Sequence, residues 1–310
     1  MFGRLQRFIR TKNRQISKIE DLHRILNNDL KNPKVNLGQI QSHLNNQKDS
    51  YYSLHELEFQ VFSQFGDDGI IQWLVNKIDI PNKVFVEFGV ENYREANTRF
   101  LLINNNWSGL VIDGSKENIE YVKNDIISWA HDIHAVHSFI TKDNINKLLL
   151  DFIGQGYNRE LGILSIDIDG NDYWVWKEIN VVNPVIVIAE YNALFGKDNA
   201  WTIPYQEDFF RLNAHGSQLY WGTSLKALYI LAKEKGYDFI GCNRHGNNAY
   251  FIRSDKIGNL KKVSCEEGFV DSKFREYKIP NGDWVSGAKR VEVIKGMPVF
   301  NIETQRIEKI

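Results

Sequence analysis

The chain of 310 residues holds only two cysteines, Cys242 and Cys265. Neither belongs to a CxxC pair, which excludes a disulfide framework or a zinc ribbon and makes a reduced, cytoplasmic setting the expectation. No run of about 18 apolar residues is present to span a bilayer, and the basic N-terminus lacks the apolar core of a signal peptide. An excess of either charge is missing too: 38 Lys and Arg against 39 Asp and Glu leave a formal net charge of −1. No global field therefore draws the protein to nucleic acid or to an anionic membrane. Internal repeats and low-complexity segments are also lacking. What remains is an ordinary globular composition, 43% hydrophobic and 25% charged, long enough for one large core or two modest ones.

Three short apolar runs, each ending in an acid, organise the middle of the chain: Val84 to Gly89 with Glu87, Trp107 to Asp113, and Leu161 to Asp169. They read as strands Val84–Phe88, Leu110–Ile112 and Gly162–Ile168, with further strands at Ala135–Phe139 and Val185–Ala189. Helical spacing fills the intervals: Asp67 to Ile78, Glu95 to Asn105, Glu117 to Asn124, Ile145 to Phe152 and Tyr173 to Glu178. A helix from Ser224 to Lys235 stops at Gly236, and Phe239–Cys242 and Ala249–Ile252 form a closing strand pair. This alternation predicts an α/β fold with a mainly parallel sheet and helices on both faces. Residues 1–50 are expected to be a helical N-terminal extension, 51–255 the α/β domain and 256–310 a C-terminal extension. Within the domain, residues 193–221 form an aromatic segment too long for a simple connector and are expected to act as a lid.

In the N-terminal extension, Ile16, Ile19, Leu22, Ile25 and Leu26 have amphipathic helical spacing. At residues 1–14, Phe2, Leu5, Phe8 and Ile9 alternate with Arg4, Arg7 and Arg10. Such a helix can lie peripherally on an anionic membrane surface, pack on a partner chain in a homo-oligomer, or simply be a solvated face.

Ligands of open α/β sheets bind outside the carboxyl ends of the strands. Glu87 and Gly89 stand at the first such end, where glycine permits close backbone approach. Asp113 ends the next strand, where a carboxylate can accept both ribose hydroxyls. The turn reads Gly89-Val-Glu-Asn-Tyr-Arg instead of G-x-G-x-x-G, which disfavours NAD and its pyrophosphate. A cofactor with ribose but no phosphate is preferred, and S-adenosylmethionine is the commonest candidate.

Ser63-Gln-Phe-Gly-Asp-Asp-Gly, Phe85-Val-Glu-Phe-Gly, Asn97-Thr98, Asn106-Trp-Ser-Gly-Leu-Val-Ile-Asp, Leu164-Ser-Ile-Asp-Ile-Asp-Gly and Val187-Ile-Ala-Glu follow one another along the chain. As a set, from about Ser63 to Ile252, they resemble the FkbM-type methyltransferase family. The resemblance implies a Rossmann-like class I methyltransferase sheet and S-adenosylmethionine as cofactor. It also implies that Glu87 and Gly89 lie near the methionine moiety and Asp113 near the ribose, with Asn97, Thr98, Gly114, Ser115 and Asp167 in the same cofactor site. Two positions depart from the family pattern: Glu91 and Asn92 stand where a second glycine is usual, and Asp113-Gly114 where Glu-Pro is usual.

After the fourth and fifth strands, Asp167, Asp169, Asn171, Asp172, Glu190 and Asn192 concentrate oxygen ligands. Asp169, Glu190 and Asn192 are the candidate set for Mg²⁺ or Ca²⁺; a metal-free acceptor site and helix capping are the alternatives. An EF-hand is excluded, because Asp172 replaces the obligatory glycine at its sixth position. His215, in the aromatic segment, is the candidate general base beside Asp169. Trp201, Tyr205, Tyr220 and Trp221 are candidates for stacking on sugar faces. The expected activity is O-methylation of a saccharide or other hydroxylated acceptor in glycan or natural-product biosynthesis. Its rivals are a non-catalytic glycan- or nucleotide-binding protein and another metal-dependent sugar-modifying enzyme.

Overall fold

The computed structural model describes residues 33–48, 53–273, 277–279 and 282–310. The amphipathic run at 16–26 and the basic segment at 1–14 lie outside the described residues. Helix α1 covers 33–46 and precedes α2 (Asp67–Lys77), β1 (Val84–Phe88), α3 (Arg99–Asn105), β2 (Ser108–Asp113), α4 (Lys116–Asn124), α5 (Ile126–Ala130) and β3 (Ile133–His137). Then come α6 (Ile145–Ile153), β4 (Ile163–Ile166), α7 (Asp172–Glu178), β5 (Ile186–Glu190), β6 (Trp201–Thr202), α8 (Arg211–Ala214), α9 (Leu225–Glu234), β7 (Tyr237–Cys242) and β8 (Asn248–Arg253). The C-terminal part adds α10 (Cys265–Gly268), β9 (Tyr277–Lys278), β10 (Trp284–Val285), α11 (Arg290–Val293), β11 (Pro298–Asn301) and β12 (Arg306–Lys309).

Seven strands form one sheet in the order β3-β2-β1-β4-β5-β8-β7. The first five run parallel, and β8 is antiparallel to both β5 and β7. The sheet is α/β, mainly parallel and Rossmann-like, with helices on both faces. Alternate residues of each strand feed separate apolar layers, as period-2 pleating requires. Val86, Phe88, Leu110, Ile112, Leu164 and Ile166 pack with α6, α7 and α9. Phe85, Val111, Ile163, Ile186 and Ile188 pack with α2, α3 and α4. Being buried on both faces explains why the strands read as continuous apolar runs.

Several boundaries differ from expectation. Strand β3 begins two residues earlier than its apolar run suggested, because Ile133 pairs with Gly109 and Ser138 already leaves the sheet. β4 stops at Ile166, since the chain turns sharply at Asp169 with φ 54°. The 193–221 segment is partly built into a second sheet: Trp201 and Thr202 pair with Asn301 and Phe300 of β11. Trp201, Tyr220 and Trp221 join the apolar cluster that includes Ile294 and Val299, and the Tyr220 hydroxyl donates to the Pro298 carbonyl at 2.5 Å. These aromatics hold the C-terminal strands and do not line the cavity below.

The Ser63-to-Asp68 motif is a folded turn. One oxygen of Asp68 accepts the N–H groups of Val61, Phe62 and Ser63 and the Ser63 hydroxyl, at 2.7 to 2.8 Å. Asp67, fully buried, accepts from Asn243, Asn248 and Tyr250 and so ties α2 to the β7–β8 pair. Asp67 thus fixes the β7–β8 edge, and Asp68 fixes the turn that precedes Gln64 in the cavity wall.

Candidate cofactor and acceptor cavity

The chain runs from β1 outward through β2 to β3, then returns to β4 on the other side of β1. Such a reversal opens a crevice at the carboxyl ends of the strands. A cavity of about 770 Å³ lies there, lined by Glu87 to Glu91, Asn97, Asp113 to Ser115, Phe139, Asp167 to Asp169, Asn171, Phe209 to Leu212 and Asn248, among others.

Gly89 makes the crevice possible. Its φ is 67°, and a Cβ there would collide with the Asp167 carbonyl oxygen. The β1 and β4 loops therefore pass in contact only because no side chain intervenes. Glu91 takes φ 48°, the left-handed conformation that suits glycine. It thus adopts the turn at the position where the family resemblance leads one to expect a second glycine. Its N–H donates to Asp113 Oδ2 at 2.8 Å. Asp113 Oδ1 accepts the Ser115 N–H at 2.7 Å and the Asn118 amide at 3.3 Å. The carboxylate thereby fixes both the first loop and the start of α4, and it remains in the cavity wall.

Glu87 is engaged differently. Its two oxygens accept the N–H groups of Asn97 and Thr98 at 2.8 and 3.0 Å and the Thr98 hydroxyl at 2.5 Å. This clamp delays the start of α3 to Arg99, four residues after the expected Glu95. Burial pushes the Glu87 carboxyl up to about 7, against the lowering by those hydrogen bonds. The Asn97 amide reaches Ser165 at 3.1 Å, joining this loop to β4.

Three carboxylates meet after β4 and β5: ligand oxygens of Asp167, Asp169 and Glu190 lie within 4.8 Å of one another. Burial, then the charges of Glu190, Asp169 and Asp172, and finally a hydrogen bond with Glu190 raise the Asp167 carboxyl well above the usual range. Two carboxyls in hydrogen-bond contact must share a proton. Asp169 is ion-paired with Arg211 of α8, and the guanidinium stacks 4.7 Å over the Trp221 ring. Asp172 accepts the N–H groups of Ile168 and Gly170 at 2.8 and 2.9 Å. It holds the turn that leads into α7, and burial pushes its carboxyl up to about 6.

Two sequence candidates stand elsewhere. Asn192 is not in the carboxylate group: its amide donates to the Leu219 and Trp221 carbonyls at 3.0 Å each, and its oxygen accepts the Leu194 N–H. That amide therefore fixes the 219–221 segment against the end of β5 instead of facing the carboxylates. His215 ends α8 outside the cavity lining, with Nδ1 bound to the Ser217 hydroxyl at 2.8 Å and to its N–H at 3.2 Å. The cation Arg211 is not singled out from sequence; a lone arginine in the 193–221 segment, following the acid cluster, was the available signal. Asn171, named among the oxygen ligands after the fourth strand, does line the cavity.

The cation set expected from sequence changes in one member: Asp167 joins Asp169 and Glu190, with spacing able to hold a metal ion, whereas Asn192 is engaged elsewhere. In the ion-free arrangement Arg211 pairs with Asp169, and Asp167 and Glu190 share a proton.

No family model matches the chain, and no curated protein matches it. Among solved structures it is similar to an S-adenosylmethionine-dependent methyltransferase from Clostridium acetobutylicum ATCC 824. The identity there is 11% and the TM-score 0.36, over 60% of this chain and 89% of that one. It is also similar to the SAH-bound Podospora anserina methyltransferase PaMTH1, at 13% identity and a TM-score of 0.36, over 55% of this chain and 71% of that one. A third is the N-terminal domain of EvdMO1 with SAH bound, at 9% identity and a TM-score of 0.34, over 55% and 72% of the two chains.

Proposed function

We propose that this protein is an S-adenosylmethionine-dependent O-methyltransferase of the FkbM type, acting on a saccharide or other hydroxylated acceptor. The observation that carries the reading is the joint placement of Gly89 and Asp113 at the reversal between β1 and β4, in one cavity. A ribose laid on Asp113 would use the carboxylate lone pairs left beside the Glu91 and Ser115 N–H groups. The left-handed Gly89 turn would leave room for the methionine end. Glu87, Asn97 and Thr98 shape that pocket through their clamp, and Gly114 and Ser115 border the ribose. Phe139, 45% exposed and close to Gly114, would cover the base.

The acceptor would enter between the strand ends and α8. Catalysis then rests on aligning its oxygen with the sulfonium methyl group. The Asp167–Glu190 pair is the group suited to take the hydroxyl proton, because two carboxyls that share one proton keep one ionised carboxylate near neutral pH. Asp169, through Arg211, holds the lid helix over the reacting atoms.

The test is a methyl-transfer assay with S-adenosylmethionine and a panel of hydroxylated sugars and glycosides, reading S-adenosylhomocysteine formation and acceptor mass together. Methylated product supports the reading, and no turnover across the panel with cofactor bound supports a binding protein instead.

A further inference from the structure

The lid helix α8 begins with two apolar side chains that have no cover. Phe210 and Leu212 line the cavity yet are 51% and 54% exposed, whereas the adjacent Phe209 is 8% exposed and packs on Gly170. Apolar surface left in water at the wall of a cavity is stabilised when a ligand covers it, at about 25 cal/mol per Å². Deeper in the same wall stands Asn171, 3% exposed. Its amide nitrogen donates to the Gln206 carbonyl at 2.8 Å, and its Oδ1 has no partner. A buried acceptor without a donor calls for a ligand hydroxyl or amide hydrogen.

Charge narrows the choice. Among the described residues the cavity is lined by six carboxylate side chains and one cation, Arg211, which is paired with Asp169. A phosphate- or carboxylate-bearing acceptor would meet this field at close range and be repelled. The polar end of the acceptor is therefore uncharged and rich in donors. The apolar strip is only two side chains long, which matches one ring better than an extended chain.

We infer that the acceptor is an aryl glycoside or its like: an uncharged hydroxylated head reaching Asn171 and Asp167, carried on an aromatic ring that lies on Phe210 and Leu212. This rests on the methyltransferase reading above and specifies its acceptor. The ring gains edge or face contact with Phe210, and the head supplies the hydrogen that Asn171 Oδ1 lacks.

The experiment titrates the protein, saturated with S-adenosylhomocysteine, with four glucose derivatives: phenyl glucoside, octyl glucoside below its micellar concentration, methyl glucoside and glucose 6-phosphate. Phenyl glucoside is expected to bind at least tenfold more tightly than methyl glucoside and more tightly than octyl glucoside, with no binding of glucose 6-phosphate. The double variant Phe210→Ser, Leu212→Ser should lose the preference for the phenyl compound, and its affinity for S-adenosylhomocysteine reports that it is folded. Equal binding of phenyl and methyl glucosides, tighter binding of the octyl or phosphorylated compound, binding of none, or a preference that survives in the variant overturns the inference. Failure of S-adenosylhomocysteine itself to bind would instead overturn the methyltransferase reading on which the inference rests.

Discussion

Asp113 accepts the backbone N–H of Glu91 at 2.8 Å, so the acid that ends β2 also holds the loop that leaves β1. The same carboxylate fixes Ser115 at the start of α4. Removing it should therefore act twice: a ribose would lose a charge-assisted acceptor, and the loop carrying the left-handed Glu91 would lose its anchor. Asp113→Ala is expected to weaken S-adenosylhomocysteine binding by about 1.5 to 3 kcal/mol for the lost acceptor alone. Calorimetry on the two proteins measures this, and equal affinities would take Asp113 out of the cofactor site.

Glu87 gives the fold a pH dependence of known sign. Burial raises its carboxyl from an ordinary value of 4.5 to about 7. The folded protein then binds a proton that the unfolded chain has released. Stability from this group is fully present below the unfolded pKa and is lost as pH rises through about 7. The loss is on the order of 3 kcal/mol across that window. In urea melts at a series of pH values, Glu87→Gln should flatten the decline between about pH 4.5 and pH 7. An unchanged slope would contradict the burial argument.

The proton acceptor can be separated from its sequence rival. Asp167→Asn is expected to lower turnover by roughly 10² to 10⁴ while leaving S-adenosylhomocysteine affinity within a few-fold. His215 lies outside the cavity lining with its Nδ1 on Ser217, so His215→Gln should leave turnover within a few-fold. The reverse pattern would return the base to the lid.

Chelation should have little effect. Because Arg211 and a shared proton already compensate the carboxylates, EDTA is expected to leave methyl transfer within a few-fold of its value in untreated enzyme. Abolition by EDTA with recovery on adding Mg²⁺ would show that the arginine gives way to a metal.

The sheet is legible because strands buried on both faces are mainly apolar, as Phe85-Val-Glu-Phe and Ile163-Leu-Ser-Ile are, each with one polar residue. β3 was placed two residues late because it is an edge strand, partly exposed along its length. Its residues carry a weaker pattern. The acids at the strand ends could be read from sequence, since they interrupt apolar runs. Their individual partners could not. Asn192 has a ligand's residue type and position, yet its amide is on the carbonyls of Leu219 and Trp221, and Arg211 reaches Asp169 from 42 residues away. Pairings of that range depend on where α8 lies over the sheet, which local periodicity does not encode.

The central claim is a nucleoside site at Gly89 and Asp113, and calorimetric titration of the purified protein with S-adenosylhomocysteine tests it most directly. Saturable one-to-one binding in the micromolar range, about −8 kcal/mol, is the result expected. Absence of binding at millimolar ligand, with a cooperative thermal transition showing the protein folded, would contradict it.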